Sequence, residues 1–460
     1  MTPTSWLNDK TNNLHCVTSR VVFVMLALMG QLLHGTSYGQ LVFKSQSDSQ
    51  QYWELMRQIF SNLERDPHHD NEALYRKAER FVIKELVGFN SEGFALLSQV
   101  EKSNRRDTIK CVGIYNLKIK KIPAVVFLCD NLVGIDISGT KIKRLPERIN
   151  QLKYLNRISI NKSKHRKFKF NFQSNESVKS IDLSYNTLRK IPRGLVKFRN
   201  LTHLNASGNL IKKIPSSLPK LDRITSLNLS FNRVTRSGLN SHDWVGLKNI
   251  NLSHNRLTSV SFSLATFPDL EECNLSYNNI SSITSVLPSK RLFFLNLYSN
   301  KLKTIPSSVC ILEKLYGLDL SFNEIEMVPS SIIGLRGLTS LSISNNFVNE
   351  LPNEIGSLDS LQNLYLDNNR LKYVPALSRL ITKLHLQGNV LTEFPMNMSS
   401  LHNLHELYVS NNRIAIIPQA ILSLDHLESV FIDGNPISTQ DQVTQQVIMK
   451  LENKGVVVKH

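Results

Sequence analysis

A segment with a 23-residue period constrains this chain more than any other feature of its sequence. LSYNTLRKIP (183–192), LYSNKLKTIP (297–306), LSFNEIEMVP (320–329) and LDNNRLKYVP (366–375) are variants of one pattern. The complete repeat reads LxxLxLxxNxLxxIPxxIxxLxx, where x is any residue. A fixed period of this length predicts a stack of similar units, because one unit cannot bury its apolar face without its neighbours.

One asparagine marks most of the units. It recurs at 23-residue steps, apart from one 22-residue step and one 20-residue step. These asparagines are Asn186, Asn209, Asn232, Asn255, Asn278, Asn300, Asn323, Asn346, Asn369, Asn389, Asn412 and Asn435. Their side chains can bond backbone groups that a turn leaves unpaired, so we expect them to join consecutive units. The 20-residue step predicts a unit that lacks most of its convex turn near Leu380.

The repeat extends to the N-terminal side of Asn186. Counting back in 23-residue steps puts Ser163, Thr140 and Leu117 at the position of the asparagine. We therefore expect about fifteen units over residues 109–437, with weaker turns in the first three.

Each unit combines a strand signal with a turn signal. The LxL segment alternates apolar and polar residues, which predicts a short strand with one buried face, and the strands of successive units should stack in parallel. The proline that follows prevents a helix or ladder from continuing and turns the chain onto a convex side. The final IxxLxx segment then supplies a second apolar wall of the core.

This recurring motif resembles that of the leucine-rich repeat family in its 23-residue type, and the resemblance covers most of the chain, residues 109–437. It implies an α/β solenoid: a curved horseshoe with parallel strands on the concave face and short helices or turns on the convex face. The units resemble those of Ras-associated signalling scaffolds and of secreted bacterial leucine-rich repeat proteins. The function that this resemblance implies is protein binding, without catalysis.

The segments outside the array are expected to have other roles. Residues 1–39 contain an uncharged apolar run at 21–33 followed by small residues, which is the layout of a secretory signal peptide; a buried helix is the alternative. Helical spacing at 52–63 and 74–87 predicts a helical cap or module over residues 41–108. After the array, residues 438–460 should form a second cap, with a helix from an N-cap at Ser438 to about Leu451 and a last strand at 455–458.

No catalytic motif stands out in the sequence. We find no phosphate-binding loop, nucleophile elbow or zinc-binding HExxH segment, and the five cysteines are scattered, which favours buried free thiols. The sequence therefore predicts no enzyme activity, no cofactor and no metal site. An effector activity in residues 41–108 is the competing interpretation.

The residue between the two strand leucines should face the concave surface. In order, this column is Gly113, Asp136, Ser159, Asp182, Asn205, Asn228, Asn251, Asn274, Asn296, Asp319, Ser342, Tyr365, His385, Tyr408 and Phe431. Phe294 and Tyr298 add aromatic side chains to the same face, and Phe431 is expected to pack under the C-terminal cap. We therefore predict an aromatic partner-binding surface formed by Phe294, Tyr298, Tyr365, His385 and Tyr408.

Positive charge is concentrated in the first units. Residues 100–223 contain 28 Lys or Arg and 8 Asp or Glu, whereas the whole chain has a formal net charge of +18. Stacking should align many of these cations into one edge, which we call the basic edge. Its members are Lys118, Lys120, Lys121, Lys141, Lys143, Arg144, Lys164, Arg166, Lys167, Arg189 and Lys190. We expect an anionic partner, such as an acidic protein, a lipid head group or an envelope polymer; solvated charge is the plainer interpretation.

Two further expectations concern this edge. NKSKHRKFKF (161–170) should be an edge loop in which Phe168, Phe170 and Phe172 fill the core while the lysines point outward. Nucleic acid is disfavoured as a partner, because no aromatic stacking row is evident beside the edge. If residues 1–39 are a signal, the protein is secreted or lies in the cell envelope, with no transmembrane span; if not, a cytoplasmic small-GTPase-type scaffold fits better.

Overall fold

The computed structural model describes residues 41–43, 82–85, 94–215, 218, 221–235, 244–260, 267–283, 291–395, 397–437 and 441–460. The chain divides into two compact units, Met1–Phe94 and Ala95–His460. The proposed signal segment and the predicted helix at 52–63 lie outside the described residues.

In the first unit, Leu41–Phe43 and Val82–Glu85 form an antiparallel pair of strands. The prediction of a helix over 74–87 is therefore wrong at residues 82–85. Helical spacing of apolar residues does not separate a helix from a strand over so short a stretch, and the β-branched pair Val82 and Ile83 suits an extended backbone.

The strand Phe94–Leu96 begins at the last residue of the first unit, and the second unit continues with helix Leu97–Lys102 and the 3-10 turn Arg106–Thr108. Leu97 and Val100 are buried, and the helix packs against the first repeat strand. This short helix lies at the N-terminal end of the array, within the region for which the sequence predicts a helical cap.

The array contributes one three-residue strand from each of fifteen units. The strands are Cys111–Gly113, Gly134–Asp136, Arg157–Ser159, Ser180–Asp182, His203–Asn205, Ser226–Asn228, Asn249–Asn251, Glu272–Asn274, Phe294–Asn296, Gly317–Asp319, Ser340–Ser342, Asn363–Tyr365, Lys383–His385, Glu406–Tyr408 and Ser429–Phe431. Together with Phe94–Leu96 and Val457–Lys459 they form a sheet of 17 strands. Neighbouring repeat strands are parallel and in register, so Leu204 lies beside Leu227 and Asn205 beside Asn228.

Short helical turns form the convex side. They are Ala124–Leu128, Glu147–Gln151, Arg193–Lys197, Ser307–Cys310, Ser330–Gly334, Asn353–Ser357, Met398–Ser400 and Gln419–Ser423. Most begin directly after a proline, which occupies the N-cap position with an extended backbone. The short unit of residues 371–382 has no helical turn, as the 20-residue step predicts.

Two more pairs of short parallel strands lie in the loops that follow the main sheet. Arg144–Leu145 pairs with Lys169–Phe170, and Ser259–Val260 pairs with Ser282–Ile283.

Leucine and isoleucine side chains from both walls fill one continuous core. In the third unit, Phe168, Phe170 and Phe172 are each only 5% exposed and take part in this core. Phe170 and Phe172 each meet the ring of Phe198 edge-on at 5.1 Å. The neighbouring lysines are exposed, which confirms the predicted alternation in this segment.

The C-terminal helix is Gln442–Asn453, and its N-cap is Asp441, whose carboxylate accepts a hydrogen bond from Thr444 N at 2.9 Å. The prediction that Ser438 caps this helix is wrong, because the Asp441 carboxylate already occupies the capping position. The final strand, Val457–Lys459, adds to Ser429–Phe431 in parallel. In the described part of the chain, no helix has the length and apolarity needed to cross a bilayer.

Candidate partner-binding surfaces

The repeated asparagines bond each unit to the one before it. Asn323 Nδ2 donates to Leu297 O at 3.0 Å in the preceding unit and to Leu320 O at 2.9 Å in its own. Its Oδ1 accepts from Leu302 N at 3.0 Å, again in the preceding unit. The same three bonds recur from Asn186 to Asn435. Each asparagine thus satisfies backbone groups that would otherwise be buried without partners.

The first three units lack this link. Thr140 Oγ1 donates to Ile137 O at 2.8 Å and accepts from Ile142 N at 3.3 Å, both within its own unit. Ser163 Oγ donates to Asn161 O at 3.0 Å, also within one unit. Leu117 is a partly exposed apolar residue that can make no such bond. In this described stretch, the main sheet and the core join the units without the asparagine side chain.

The basic edge forms one exposed surface. All eleven of its cations are exposed, and the loops that carry them are bonded in sequence, for example by Lys141 N to Ile119 O at 3.1 Å. None of the ion pairs among the described residues involves a member of this edge. Lys164 also has a left-handed backbone, with φ of 52°. The array therefore presents a row of cations whose charge is not offset by an adjacent carboxylate.

The four aromatic residues of the predicted concave column are neighbours, and their rings pack against one another. Tyr365, His385, Tyr408 and Phe431 occupy neighbouring register positions. The rings of His385 and Tyr408 lie 4.2 Å apart, as do those of Tyr408 and Phe431. His385 is 3% exposed and Tyr408 7%, so the prediction that these two form an exposed surface is wrong. Adjacent strands are about 4.8 Å apart, so rings at equal positions cover one another's faces.

The carboxylate of Glu406 interacts with His385 of this column and with Lys383. Glu406 accepts from Lys383 Nζ at 2.6 Å and lies 3.3 Å from His385 Nε2. Burial acts to raise the pKa of Glu406, but the hydrogen bonds from His385 and Lys383 lower that pKa to about 2. Tyr365, at the end of the column, remains half-buried, and burial raises the pKa of its hydroxyl. Its ring is therefore the one aromatic face of this column that a partner could reach most directly.

Phe294 and Tyr298 do not share that column. Phe294 is half-buried, and its ring covers Gly317, where a Cβ would approach the Phe294 Cδ2 atom to 2.9 Å. Tyr298 lies past the strand, with its ring 5.1 Å from Tyr277 on one side and 5.1 Å from Phe322 on the other. The structure therefore assigns Tyr298 to a second aromatic row.

We call this second row the aromatic stripe; it consists of Phe231, His254, Tyr277, Tyr298 and Phe322. The His254 ring stacks on Phe231 at 4.0 Å and on Tyr277 at 4.1 Å, with interplanar angles of 11° and 13°. Phe231 is 37% exposed and Tyr277 38%. The stripe lies in the sixth to tenth units, beyond the members of the basic edge, so the absence of an aromatic stacking row beside that edge stays a prediction.

The stripe has an unusual backbone. Phe231, His254, Tyr277 and Phe322 all have φ between 52° and 58°, a left-handed conformation that bulky side chains disfavour by about 1–3 kcal/mol. The sequence carried a signal for it, because the residue before the asparagine is aromatic in LSFN (229–232), LSHN (252–255) and LSYN (275–278) alike. Exposed Arg233, two positions after Phe231, lies along the same loop.

Comparisons with known proteins agree with this architecture, which is that of a repeat solenoid. The model described as "Leucine-rich repeat region" matches residues 251–382, and further leucine-rich repeat models match 168–211, 178–234 and 403–424. The chain belongs to the leucine-rich repeat family. No curated sequence matches the chain.

Several solved structures share the fold. A leucine-rich repeat protein from Leptospira interrogans is 23% identical, with a TM-score of 0.61, over 79% of this chain and 98% of that one. TLR13 in a complex with ssRNA13 is 19% identical, with a TM-score of 0.55, over 78% and 63% of the two chains. YopM from Yersinia enterocolitica is 19% identical, with a TM-score of 0.51, over 85% and 78%. At this identity the likeness establishes the fold, which is typical of protein-binding domains.

Proposed function

We propose that this protein is a non-enzymatic recognition scaffold whose basic edge binds an anionic partner. The observation that carries the proposal is a row of eleven exposed cations, none of which joins an ion pair among the described residues. Like charges in adjacent units repel one another, and a bound anion relieves that repulsion while gaining from all of them.

Solvated surface charge would explain solubility, but the uneven distribution of charge supports a partner instead. Beyond the first units, several cations are paired with acids, as in Lys248 with Glu271 at 2.9 Å and Arg291 with Asp269 at 3.0 Å. A chain that needed only solubility would gain it from mixed charges of this kind. The first units instead leave their cations available to an acidic protein, a lipid head group or an envelope polymer.

On the concave face, we assign a secondary contact to the half-buried Tyr365 and Phe294. His385 supports this contact because it meets the Tyr365 ring edge-on at 4.9 Å and is itself stacked on Tyr408 at 4.2 Å. Rigid aromatic side chains lose little conformational entropy on binding, which makes them effective anchors in protein interfaces.

We further propose that the protein acts outside the cell or in the cell envelope, on the strength of the signal-like residues 1–39. A cytoplasmic small-GTPase-type signalling scaffold is the alternative if those residues are retained, and sequencing the N-terminus of the mature protein distinguishes the two. The separate compact unit Met1–Phe94 supports a second candidate, an effector activity within residues 41–108.

Charge reversal on the edge tests the main proposal. Lys141→Glu, Lys143→Glu and Arg144→Glu combined should weaken binding to anionic vesicles or to heparin about tenfold or more at low salt, because three attractions become repulsions. The dependence of binding on salt concentration should flatten in parallel. Binding is measured by co-sedimentation and by surface plasmon resonance across a salt series.

A matched control carries the same change of charge elsewhere. Lys303, Lys372 and Arg413 are exposed and lie beyond the first five units, so reversing them alters net charge equally. Equal losses in the two variants would show that net charge alone attracts the partner, and would remove the basic edge as a site.

A further inference from the structure

We propose that the aromatic stripe and the basic edge together form one docking track for an acidic polypeptide that also carries apolar side chains. The inference rests on the proposed function and specifies its partner class. Four observations carry it: the backbone position of the rings, their exposure, their neighbouring cations and the covered faces of the stack.

The turn itself does not need aromatic residues at these positions. In many other units of the array the same left-handed position is held by glycine or asparagine, as at Gly208, Asn345 and Gly388. Those residue types adopt positive φ with little strain, whereas phenylalanine and tyrosine do not. Phenylalanine and tyrosine are therefore strained at these positions. The turn does not require them, so we infer that their side chains serve another purpose.

Those side chains contribute little to the core. Phe231 and Tyr277 are more than a third exposed, whereas the strand leucines beneath them, such as Leu229 and Leu275, are at most 1% exposed. Contacts with neighbouring rings nevertheless fix both: Phe231 stacks on His254, and Tyr277 lies between His254 and Tyr298. The result is a rigid, exposed apolar surface, which loses little entropy when a partner covers it.

Cations run beside this surface. Arg233 and Arg256 follow their rings by two positions, and Lys301 occupies the same place near Tyr298; all three are exposed. An arginine plane next to an exposed aromatic ring is suited to a carboxylate and an apolar group together.

The repeat position of the stripe continues toward the basic edge through Gly208 and Tyr185 to Lys162, which is in the same loop as Lys164 of that edge. A Cβ on Gly208 would lie 2.6 Å from Tyr185 Cδ1, so the Tyr185 ring covers that glycine on the side toward the first units. Lys162 Nζ in turn lies 5.7 Å from the centre of the Tyr185 ring. The first to tenth units span about 43 Å at about 4.8 Å per strand, a length that roughly 13 extended residues would match.

Covered ring faces favour a polypeptide over a nucleic acid. His254 lies between two parallel rings, so the stripe presents ring edges, and nucleobases need open faces to stack. A polyanion without apolar groups would leave the stripe unused. A polypeptide can place carboxylates on the edge and aliphatic side chains on the stripe.

The probe is a labelled synthetic peptide with a run of glutamates joined to a run of leucines and phenylalanines. Three comparison ligands are the same peptide with glycine and serine in the apolar run, heparin, and a single-stranded RNA. Binding to the full chain is measured by fluorescence anisotropy at several salt concentrations. The test variant is Phe231→Asn with Tyr277→Asn, since asparagine tolerates positive φ; Tyr316→Asn removes another exposed aromatic residue, one that precedes a strand.

We expect the apolar run to tighten binding to the parent protein about tenfold. The Phe231/Tyr277 variant should lose that gain in affinity. Its unfolding temperature should stay within a few degrees of that of the parent. Tyr316→Asn should leave the gain unchanged. Equal affinity of the two peptides, or a gain that survives in the Phe231/Tyr277 variant, would overturn the docking track while leaving the basic edge intact. Tighter binding of single-stranded RNA than of the apolar peptide would assign the stripe to nucleic acid instead. Failure of every anionic ligand to bind would instead contradict the proposed function itself.

Discussion

The first three repeat units and the units from Asn186 onward build the same parallel strands but are joined by different interactions. In the later units an asparagine makes two hydrogen bonds to the preceding unit, as Asn323 does. In the early units the side-chain hydroxyls of Thr140 and Ser163 bond only within their own unit. Strand register is nevertheless unbroken among the early units, where Asp136 pairs with both Gly113 and Ser159. The leucine pattern alone is therefore sufficient for register, and the asparagines add cohesion to it.

The two regions also differ in how they place charge. The early units expose cations without ion pairs, whereas Lys383, Glu406 and His385 form a half-buried cluster in the later ones. The region with fewer inter-unit hydrogen bonds is thus also the one with the greater charge repulsion. Binding of an anion would offset both, which ties the stability of the first units to their proposed partner.

The largest effect in this comparison is expected from removing one asparagine side chain. Asn323→Ala should lower the free energy of unfolding by about 1–3 kcal/mol, because two carbonyls and one amide lose a buried partner. Ser163→Ala, its counterpart in an early unit, should cost about 0.5 kcal/mol or less. Urea denaturation followed by circular dichroism measures both. Similar costs for the two variants would erase the distinction between the regions.

A smaller effect on stability is expected from Glu406 in the half-buried charge cluster, and it should depend on pH. The pKa of Glu406 is about 2 in the folded chain against an ordinary value of 4.5, so its stabilising contribution is complete above about pH 4.5 and lost as pH falls toward 2. Because the carboxylate is partly exposed, we expect Glu406→Gln to cost only about 1–2 kcal/mol at pH 7. Thermal unfolding at a series of pH values should show the parent and the variant converging in acid. A constant difference down to pH 2 would mean that Glu406 does not stabilise through its charge.

Much of the fold follows directly from the period of the sequence. The 23-residue step places equal positions in columns, which gives the strands, the asparagine links and the exposed cations. It does not say how side chains within a column meet. Tyr408 and His385 each occupy an outward position, yet their rings lie 4.2 Å apart and cover one another. Burial there depends on the identity of the neighbours in space, which lie one repeat away along the chain.

In two other places the repeat period and the spacing of apolar residues do not specify the backbone conformation. The aromatic stripe depends on the left-handed turn at Phe231 and Tyr277, and strand alternation alone would predict a different direction for those side chains. At Val82–Glu85, pairing with Leu41–Phe43 decides for a strand although the spacing of apolar residues suits a helix. Both cases involve contacts or dihedral angles that a one-dimensional period does not specify.

The smallest effect is expected when an asparagine is introduced into an early unit, where the asparagine bonds to the preceding unit are absent. In Ser163→Asn the new amide would lie one unit before Asn186, where its Nδ2 could donate to Ile137 O and its Oδ1 could accept from Ile142 N, as Asn186 does with the corresponding groups one unit later. Ile142 N at present has only a 3.3 Å bond to Thr140 Oγ1, so it can gain from a better acceptor.

We expect Ser163→Asn to raise the free energy of unfolding by about 0.5–1.5 kcal/mol, the net gain of one or two hydrogen bonds to backbone. Hydrogen exchange at the Ile142 amide should slow in parallel, which would locate the gain between the second and third units. Binding of anionic ligands should be unchanged, because no cation of the basic edge is altered. A neutral or destabilising result would show that the left-handed backbone at Lys162 and Lys164 already excludes the asparagine geometry, so that the early units differ in backbone as well as in one side chain.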